Sequence, residues 1–131
     1  MSSNSETLNF VVNSTNQTQL THPGDSAITS QTSDKIKGDG YYGRADGLHT
    51  VQYNVTSFVG KIVTQATLAT NPVEADYFTL STTVHDNISG PANSALADGS
   101  FIFNFTGNYV YVRAIVSDWV GGTVNSILIN H

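Results

Sequence analysis

The sequence predicts an all-β fold, a single-domain antiparallel β-sandwich that is jelly-roll-like and has about eight strands. Apolar side chains recur at every second position in several separate segments, which is the period of a β-strand. Short runs of Gly, Asn, Asp and Pro separate these segments and predict turns. Charged residues make up only 11% of the 131 residues, so hydroxyl and amide groups supply most of the polarity, as is typical of strands. A β-barrel is the alternative architecture.

The first third of the chain predicts an arm, two strands and a loop. Residues 1–7 are small and polar, so we expect a flexible N-terminal arm, with the β-sandwich domain spanning residues 8–131. Alternation over residues 8–12 predicts the first strand, and residues 27–32 predict a weak strand at a sheet edge. Residues 37–47 contain four glycines. Because glycine tolerates positive φ and close backbone approach, this segment predicts a structured loop.

The middle of the chain predicts three strands. Residues 48–55 and 60–69 both alternate, and the short connection at 56–59 leads us to expect that they pair antiparallel with each other. A loop with one helical turn at 73–76 is expected next. Residues 77–82, centred on an aromatic and a leucine, predict a further strand.

The last third predicts a long loop followed by three strands. Residues 84–98 are rich in small residues and contain Gly and Pro, which predicts the longest loop. Residues 100–106 predict a strand with three core aromatics on one face, Phe101, Phe103 and Phe105. Residues 109–116 and 123–129 alternate without a break. The glycine pair at 121–122 predicts that they form a hairpin.

Composition excludes several classes of function. The net charge is -5, and the five basic residues are too few for a stripe that neutralises several phosphates, so we expect no nucleic-acid partner. Without cysteine there is neither a disulfide nor a thiolate metal site. The N-terminus lacks the pattern of a signal peptide and no apolar stretch is long enough to span a membrane. We therefore expect a protein made in a cytoplasm, with no membrane partner.

Histidine and carboxylate pairs are the only candidates for catalysis or metal binding. His49 follows Asp46 closely, and His22 precedes Asp25, but a metal site or catalytic dyad needs further converging ligands or a nucleophile. Packing or turn-stabilising histidines are the favoured interpretation. Asp39 with Asp46 is a weaker candidate for a hydrolytic carboxylate pair, and Ca²⁺ bound by loop carboxylates and carbonyls is a further alternative. We predict no catalytic residue, no metal and no cofactor, and hence no enzyme.

Aromatic residues at predicted loop tips are the candidate contact residues. Tyr41, Tyr42 and Arg44 lie in the glycine-rich loop, and Trp119 lies at the tip of the predicted hairpin. Exposed aromatics at such places stack on sugar rings or anchor protein interfaces. The alternative for Trp119 is that it folds back as a lid over the end of the sandwich. Arg113 lies in mid-strand, which favours a stacked structural arginine.

Two segments carry a resemblance to a known family. They are Asp39–Leu68, DGYYGRADGLHTVQYNVTSFVGKIVTQATL, and Gly107–Leu128, GNYVYVRAIVSDWVGGTVNSIL. With Asp76-Tyr77-Phe78 between them, they resemble a recurrent β-sandwich unit in structural proteins of tailed bacteriophages, especially those that infect marine cyanobacteria. The resemblance spans about two thirds of the chain. Such units are similar in architecture to carbohydrate-binding modules and occur as capsid decoration, fibre and neck or tail accessory proteins.

The resemblance implies a non-enzymatic structural protein of the virion. We expect a capsid decoration or head or tail accessory subunit, made in the host cytoplasm, that binds other capsid, neck or tail proteins. A homo-oligomer is expected. The alternative is a glycan-binding adhesin module that attaches the phage to a host surface glycan, for which Tyr41, Tyr42 and Trp119 are the candidate contacts.

Overall fold

Most of the described residues lie in antiparallel strands. The computed structural model describes residues 5–12, 15–22, 24, 29–43, 47–88 and 95–130. Within them lie two short 3₁₀ helices, Glu74–Asp76 and Ser81–Thr83, and eleven strands: β1 (Ser5–Thr7), β2 (Phe10–Val12), β3 (Thr15–Gln17), β4 (Leu20–Thr21), β5 (Gln31–Thr32), β6 (Ile36–Lys37), β7 (Leu48–Thr67), β8 (Phe78–Thr79), β9 (His85–Asp86), β10 (Gly99–Thr106) and β11 (Tyr111–Asn130). Nine strands form one sheet, and β2 and β3 form a second. No helix in the described ranges has the length and apolarity needed to cross a membrane.

Two long strands organise the fold. The strands β7 and β11 are 20 residues each and pair antiparallel along almost their whole length, from Thr67 opposite Tyr111 to Thr50 opposite Asn130. Both alternate apolar and polar side chains, which gives each strand one buried face. The short strands β1, β4, β5 and β6 pair with β11, while β8, β9 and β10 pair with β7.

Both long strands bend sharply at the same level. Ser57 in β7 and Asp118 in β11 have positive φ angles of 51° and 48°, and Gly122 has a φ of 86°. A Cβ atom on Gly122 would overlap the carbonyl oxygen of Ser57, so only glycine allows the two strands to approach this closely. The amide of Ser57 donates to Asp98 Oδ1 at 2.9 Å, which satisfies a backbone group that the bend removes from the ladder.

The bend folds the nine-stranded sheet into two facing layers. The first layer holds residues 48–55 of β7 and 123–130 of β11 with β1, β4 and β10, and the second holds residues 60–67 and 111–117 with β5, β6, β8 and β9. Side chains from both halves of each long strand lie in one buried cluster: Val51, Tyr53, Val55, Ile62, Ala66, Val112, Ala114, Val116, Val124, Ile127 and Ile129. This arrangement confirms the predicted antiparallel β-sandwich.

Two predicted strand pairs are wrong. The glycines at 121–122 do not close a hairpin, because the chain continues through them as one strand with shifts of register. Residues 48–55 and 60–69 likewise do not pair with each other; they belong to one strand, β7, and lie in opposite layers. The eleven described strands exceed the predicted eight because several strands of two or three residues carry no alternating pattern.

Other predictions near the chain ends and loops have mixed outcomes. Ser5–Thr7 are not part of a free arm, since they pair with the end of β11; residues 1–4 lie outside the described ranges. The helical turn expected at 73–76 is confirmed by the 3₁₀ helix at Glu74–Asp76. The aromatic stripe of β10 is confirmed as well: Phe105 is buried, and Phe101 and Phe103 are partly buried against the core.

The remaining segments are shorter strands than predicted. Only Phe78–Thr79 is extended within 77–82, because a 3₁₀ helix follows at Ser81–Thr83. Within 27–32 the structure shows a strand at Gln31–Thr32, and residues 25–28 lie outside the described ranges. The predicted loop 84–98 contains a two-residue strand, His85–Asp86, that pairs with β7.

Candidate functional site

A groove lies at one open edge of the sandwich, where the two layers meet. The strand β1 pairs with the end of β11 in the first layer, and β6 pairs with the start of β11 in the second. The groove between them has a volume of about 470 Å³ and is lined by Glu6, Lys35, Ile36, Lys37, Tyr42 and Tyr111. These residues together with Tyr41 are called the tyrosine groove below.

Three tyrosine rings form one connected surface in this groove. Tyr41 and Tyr42 meet edge to face with ring centroids 5.5 Å apart, and Tyr41 lies 5.7 Å from Tyr111. Tyr41 is 46% exposed and Tyr42 is 49% exposed, so both rings are held by neighbours on one side and open to solvent on the other. Such rings present an apolar face and a polar hydroxyl to a ligand.

Two lysines lie over these rings. Lys37 Nζ is 4.5 Å from the ring centroid of Tyr41, and Lys35 Nζ is 5.3 Å from that of Tyr111. Because Lys35 and Lys37 flank Ile36 in an extended segment, their side chains leave the backbone on the same face. Cation–π attraction holds each ammonium group close to its ring while leaving it in contact with solvent.

The loop that carries Tyr41 and Tyr42 is fixed by backbone hydrogen bonds. The amide of Tyr41 donates to the carbonyl of Gly38 at 3.1 Å, and that of Tyr42 donates to the carbonyl of Asp39 at 3.2 Å. The amide of Gly40 donates to the carbonyl of Tyr109 at 2.9 Å, and a Cβ atom on Gly40 would overlap the Asn108 carbonyl. The two tyrosine side chains therefore project from a loop that packs closely against residues 108–109, just before the start of β11.

His49 supports this loop from beneath and is a structural histidine, as the sequence predicts. It is fully buried, and its Nδ1 donates to the carbonyl of Gly47 at 2.8 Å. Its ring stacks on Phe105 with centroids 4.7 Å apart and planes 5° apart, and the amide of Asp39 donates to Nε2 at 3.4 Å. Both ring nitrogens thus contact the backbone of the glycine-rich loop.

The other predicted histidine and carboxylate pairs are described only in part. His22 Nδ1 accepts a hydrogen bond from the amide of Gly24 at 3.0 Å, which confirms a turn-stabilising role. Asp25 and Asp46, the predicted partners in these pairs, lie outside the described residues. Within the described ranges no three His, Asp or Glu side chains converge as they would around a metal ion.

Arg113 is a structural arginine beside the groove, as predicted. Its Nη1 and Nη2 donate to the two carboxylate oxygens of Glu74 at 2.9 and 2.8 Å, and its Nε donates to Gln65 Oε1 at 3.0 Å. The guanidinium lies 3.8 Å from the ring centroid of Tyr77. Hydrogen bonds from Arg113, and then its charge, lower the pKa of Glu74. The charge of Arg113 is therefore matched within the protein.

Of the four predicted contact residues, the structure places Tyr41 and Tyr42 in the tyrosine groove and buries Trp119. Trp119 is only 2% exposed and meets His22 edge to face at 4.8 Å, so it is the lid over the sandwich end rather than an exposed contact. This corrects its assignment as a contact residue. The physical reason is that it lies in the bend of a continuous strand rather than at a hairpin tip. Arg44 lies outside the described residues.

Sequence reasoning found Tyr41 and Tyr42 but missed the rest of the groove. Tyr111 opens the long alternating run of β11, and its register opposite Lys37 places it in the groove. The spacing of Lys35 and Lys37 on one face of Ile36 was a usable signal for a basic edge. The sequence contains no signal that would place Glu6 in the groove, because Glu6 lies in the segment predicted to be a flexible arm.

Comparisons with known proteins give distant structural likenesses. No protein-family model and no curated protein sequence matches the chain. A structure of reduced XRCC1 bound to the DNA pol beta catalytic domain is similar, with 11% identity over 79% of this chain and 74% of that chain and a TM-score of 0.45.

Two carbohydrate-binding modules are also similar. The C-terminal CBM6 of LamC, a marine laminarinase from Zobellia galactanivorans, is 13% identical over 98% of this chain and 100% of that chain, with a TM-score of 0.42. The module CBM6cm-2 of Cellvibrio mixtus lichenase 5A, in complex with cellotriose, is 12% identical over 98% and 86%, with a TM-score of 0.37. None of these likenesses assigns a function to this chain.

Proposed function

We propose that this chain is a non-enzymatic glycan-binding module whose ligand occupies the tyrosine groove. The observation that carries the proposal is the pair of half-exposed rings, Tyr41 and Tyr42, at a groove that also presents Lys35, Lys37 and Glu6. A pyranose ring has an apolar face of C–H groups, which stacks on an aromatic ring. Its hydroxyl groups bind the ammonium and carboxylate groups around it.

The size and rigidity of the groove support this proposal. Its volume of about 470 Å³ lies in the range of about 300 to 1,000 Å³ that is usual for small-molecule sites. The loop 38–43 is already fixed by hydrogen bonds to the segment around Tyr109. A ligand that binds a fixed surface loses less free energy to ordering the protein, which favours affinity.

The number of carboxylates in the groove supports binding of a glycan without its hydrolysis. Glycoside hydrolysis by the usual route needs two carboxyl groups on either side of the scissile bond, about 5 to 9.5 Å apart. Among the described residues that line the groove, Glu6 is the one carboxylate. Asp39 is part of the loop 38–43 and is buried.

Calorimetric titration of the purified protein tests the proposal. The probes are cellotriose, as a neutral sugar, and trigalacturonate, as an acidic one. We expect binding of at least one probe, and Tyr42→Ala and Tyr41→Ala each weaken it about ten-fold, because each removes a stacking face. Phe78→Ala is the matched control: Phe78 is 45% exposed and packs on Tyr109 away from the groove. Absence of binding to these two probes and to a sulfated κ-carrageenan tetrasaccharide, or equal binding by Tyr42→Ala, refutes the proposal.

A virion structural subunit that acts through contacts between copies is the second candidate. The strand β10 is the edge of the sheet, and no strand in the described part of the chain pairs with its outer side. Its sequence, GSFIFNFT, has neither charge nor proline, and Ile102 on it is 60% exposed. An edge of this kind pairs readily with another strand, and two copies of β10 meet without like-charge repulsion.

The virion role is tested separately from glycan binding. Mass spectrometry of purified phage particles encoded by the same genome is expected to detect this chain. A particle whose protein inventory lacks it refutes the virion role and leaves the glycan-binding proposal standing.

A further inference from the structure

We infer that the tyrosine groove selects acidic glycans, which carry carboxylate or sulfate groups, over neutral ones. This inference rests on the proposed glycan-binding function and names its ligand class. The observation that carries the inference is a pair of cation–π contacts in the groove. Lys35 lies over the ring of Tyr111, and Lys37 lies over the ring of Tyr41.

The described residues that line the groove include more basic than acidic side chains. The protein has a net charge of -5 with only five basic residues, yet two of these five line the groove against a single carboxylate, Glu6. The two other basic residues that the structure describes face acids: Arg113 is paired with Glu74, and Lys61 lies opposite Asp86 in the sheet. The tyrosine groove is therefore a local basic site on an acidic protein.

The geometry of the two lysines fits an anionic sugar. Residues two apart in an extended strand are about 7 Å apart, so one anionic group can lie between both ammonium groups. The rings of Tyr41 and Tyr111 hold the ammonium groups of Lys37 and Lys35 in place, which reduces the entropy lost when an anion binds. Tyr42, which also lines the groove and is 49% exposed, supplies an aromatic ring beside the anion for contact with the sugar that carries it.

Calorimetric titration with three oligosaccharides tests the inference. The probes are cellotriose, trigalacturonate and a κ-carrageenan tetrasaccharide, which are neutral, carboxylated and sulfated respectively. We expect at least one acidic probe to bind about ten-fold more tightly than cellotriose at low salt, and this advantage to shrink as NaCl is raised. The two acidic probes distinguish carboxylate from sulfate recognition.

Variants separate the charge contribution from stacking. The double variant Lys35→Gln, Lys37→Gln is expected to lose the preference for acidic probes, so that trigalacturonate and the κ-carrageenan tetrasaccharide bind this variant no more tightly than cellotriose does. Lys61→Gln, which removes one positive charge from β7 outside the groove, is the control and keeps the preference for acidic probes. Tyr42→Ala weakens binding of all three probes.

The outcomes distinguish this inference from the function on which it rests. Equal binding of neutral and acidic probes, or an acidic preference that survives the double lysine substitution, overturns the inference while leaving glycan binding intact. Binding of every probe that is unchanged in Tyr42→Ala overturns the proposed function, and the inference with it.

Discussion

The hydroxyl of Tyr53 lies 2.8 Å from Oγ1 of Thr64, although the two residues are eleven positions apart in the same strand, β7. The Tyr53 hydroxyl also donates to the carbonyl of Thr83 at 2.9 Å, so the hydroxyl of Thr64 is the donor in the first contact. The amide of Thr64 in turn donates to the hydroxyl of Thr83 at 3.0 Å. One half of β7 is thus hydrogen-bonded through the core to its other half.

Removing this hydroxyl is expected to destabilise the fold. Tyr53→Phe leaves the Thr83 carbonyl and the Thr64 hydroxyl without a buried partner, which lowers the free energy of unfolding by about 1 to 3 kcal/mol. Urea unfolding followed by the fluorescence of Trp119, the single tryptophan, measures the change. Tyr111→Phe at the surface is the matched control and is expected to change stability by less than about 0.5 kcal/mol. Equal losses in the two variants would contradict the prediction.

The bend predicts a large effect of one glycine substitution. Gly122→Ala forces a side chain into positive φ and against the backbone of Ser57, which is expected to cost more than about 2 kcal/mol. Gly24→Ala is the control, because Gly24 has a similar φ of 82° and open space around it; it should cost about 1 kcal/mol. Thermal unfolding of both variants checks the difference. Similar melting temperatures would show that the close approach is not needed.

His85 predicts that acid weakens the fold. Its ring is buried and stacks on Phe101 at 4.2 Å, and burial lowers its pKa below 6.5, against the opposing effects of the Leu96 backbone and the Asp86 charge. The unfolded chain therefore binds a proton more readily than the native one, so stability falls as pH decreases below about 6.5. Urea midpoints measured from pH 8 to pH 5 test this. His85→Gln should flatten the profile, whereas His22→Gln should retain the slope.

The edge strand predicts a charge-sensitive association. If copies pair through β10, Ile102→Lys places like charges near each other across the two-fold contact and is expected to shift the protein from dimer to monomer in gel filtration with light scattering. Val120→Lys is the control, since Val120 is similarly exposed in the bend of β11. A monomeric parent protein at high concentration would exclude this contact.

The sequence predicted the fold class because alternation reports burial locally, but it did not predict the path of the two long strands. A hairpin and a bent strand give the same alternation on each side of a Gly-Gly pair. They differ only in the partners: Val116 lies opposite Ile62 and Val124 lies opposite Val55. Those partners are about 60 residues away, and nothing in the local pattern encodes that pairing.

The candidate site was predictable to the extent that it sits in one loop. Tyr41 and Tyr42 are flanked by glycines, which marked an ordered loop with aromatic tips. The lysines and Tyr111 reach the same groove only because β6 pairs with the start of β11, and a two-residue strand has no period to detect. The exposure of Trp119 was ambiguous for the same reason as the path of β11. The side chain is exposed if the chain forms a hairpin there and buried if the chain continues as one bent strand.

Because β7 and β11 each run through both layers, neither half of the sandwich is an independent unit. The same two strands pair in both layers, so opening one layer also strains the strand pairing in the other. We therefore expect native-state hydrogen exchange to give one common opening free energy for the amides of Ile62–Ala66 and Val124–Ile129. The ladder joins segments far apart in sequence, and we expect such high contact order to make folding slow.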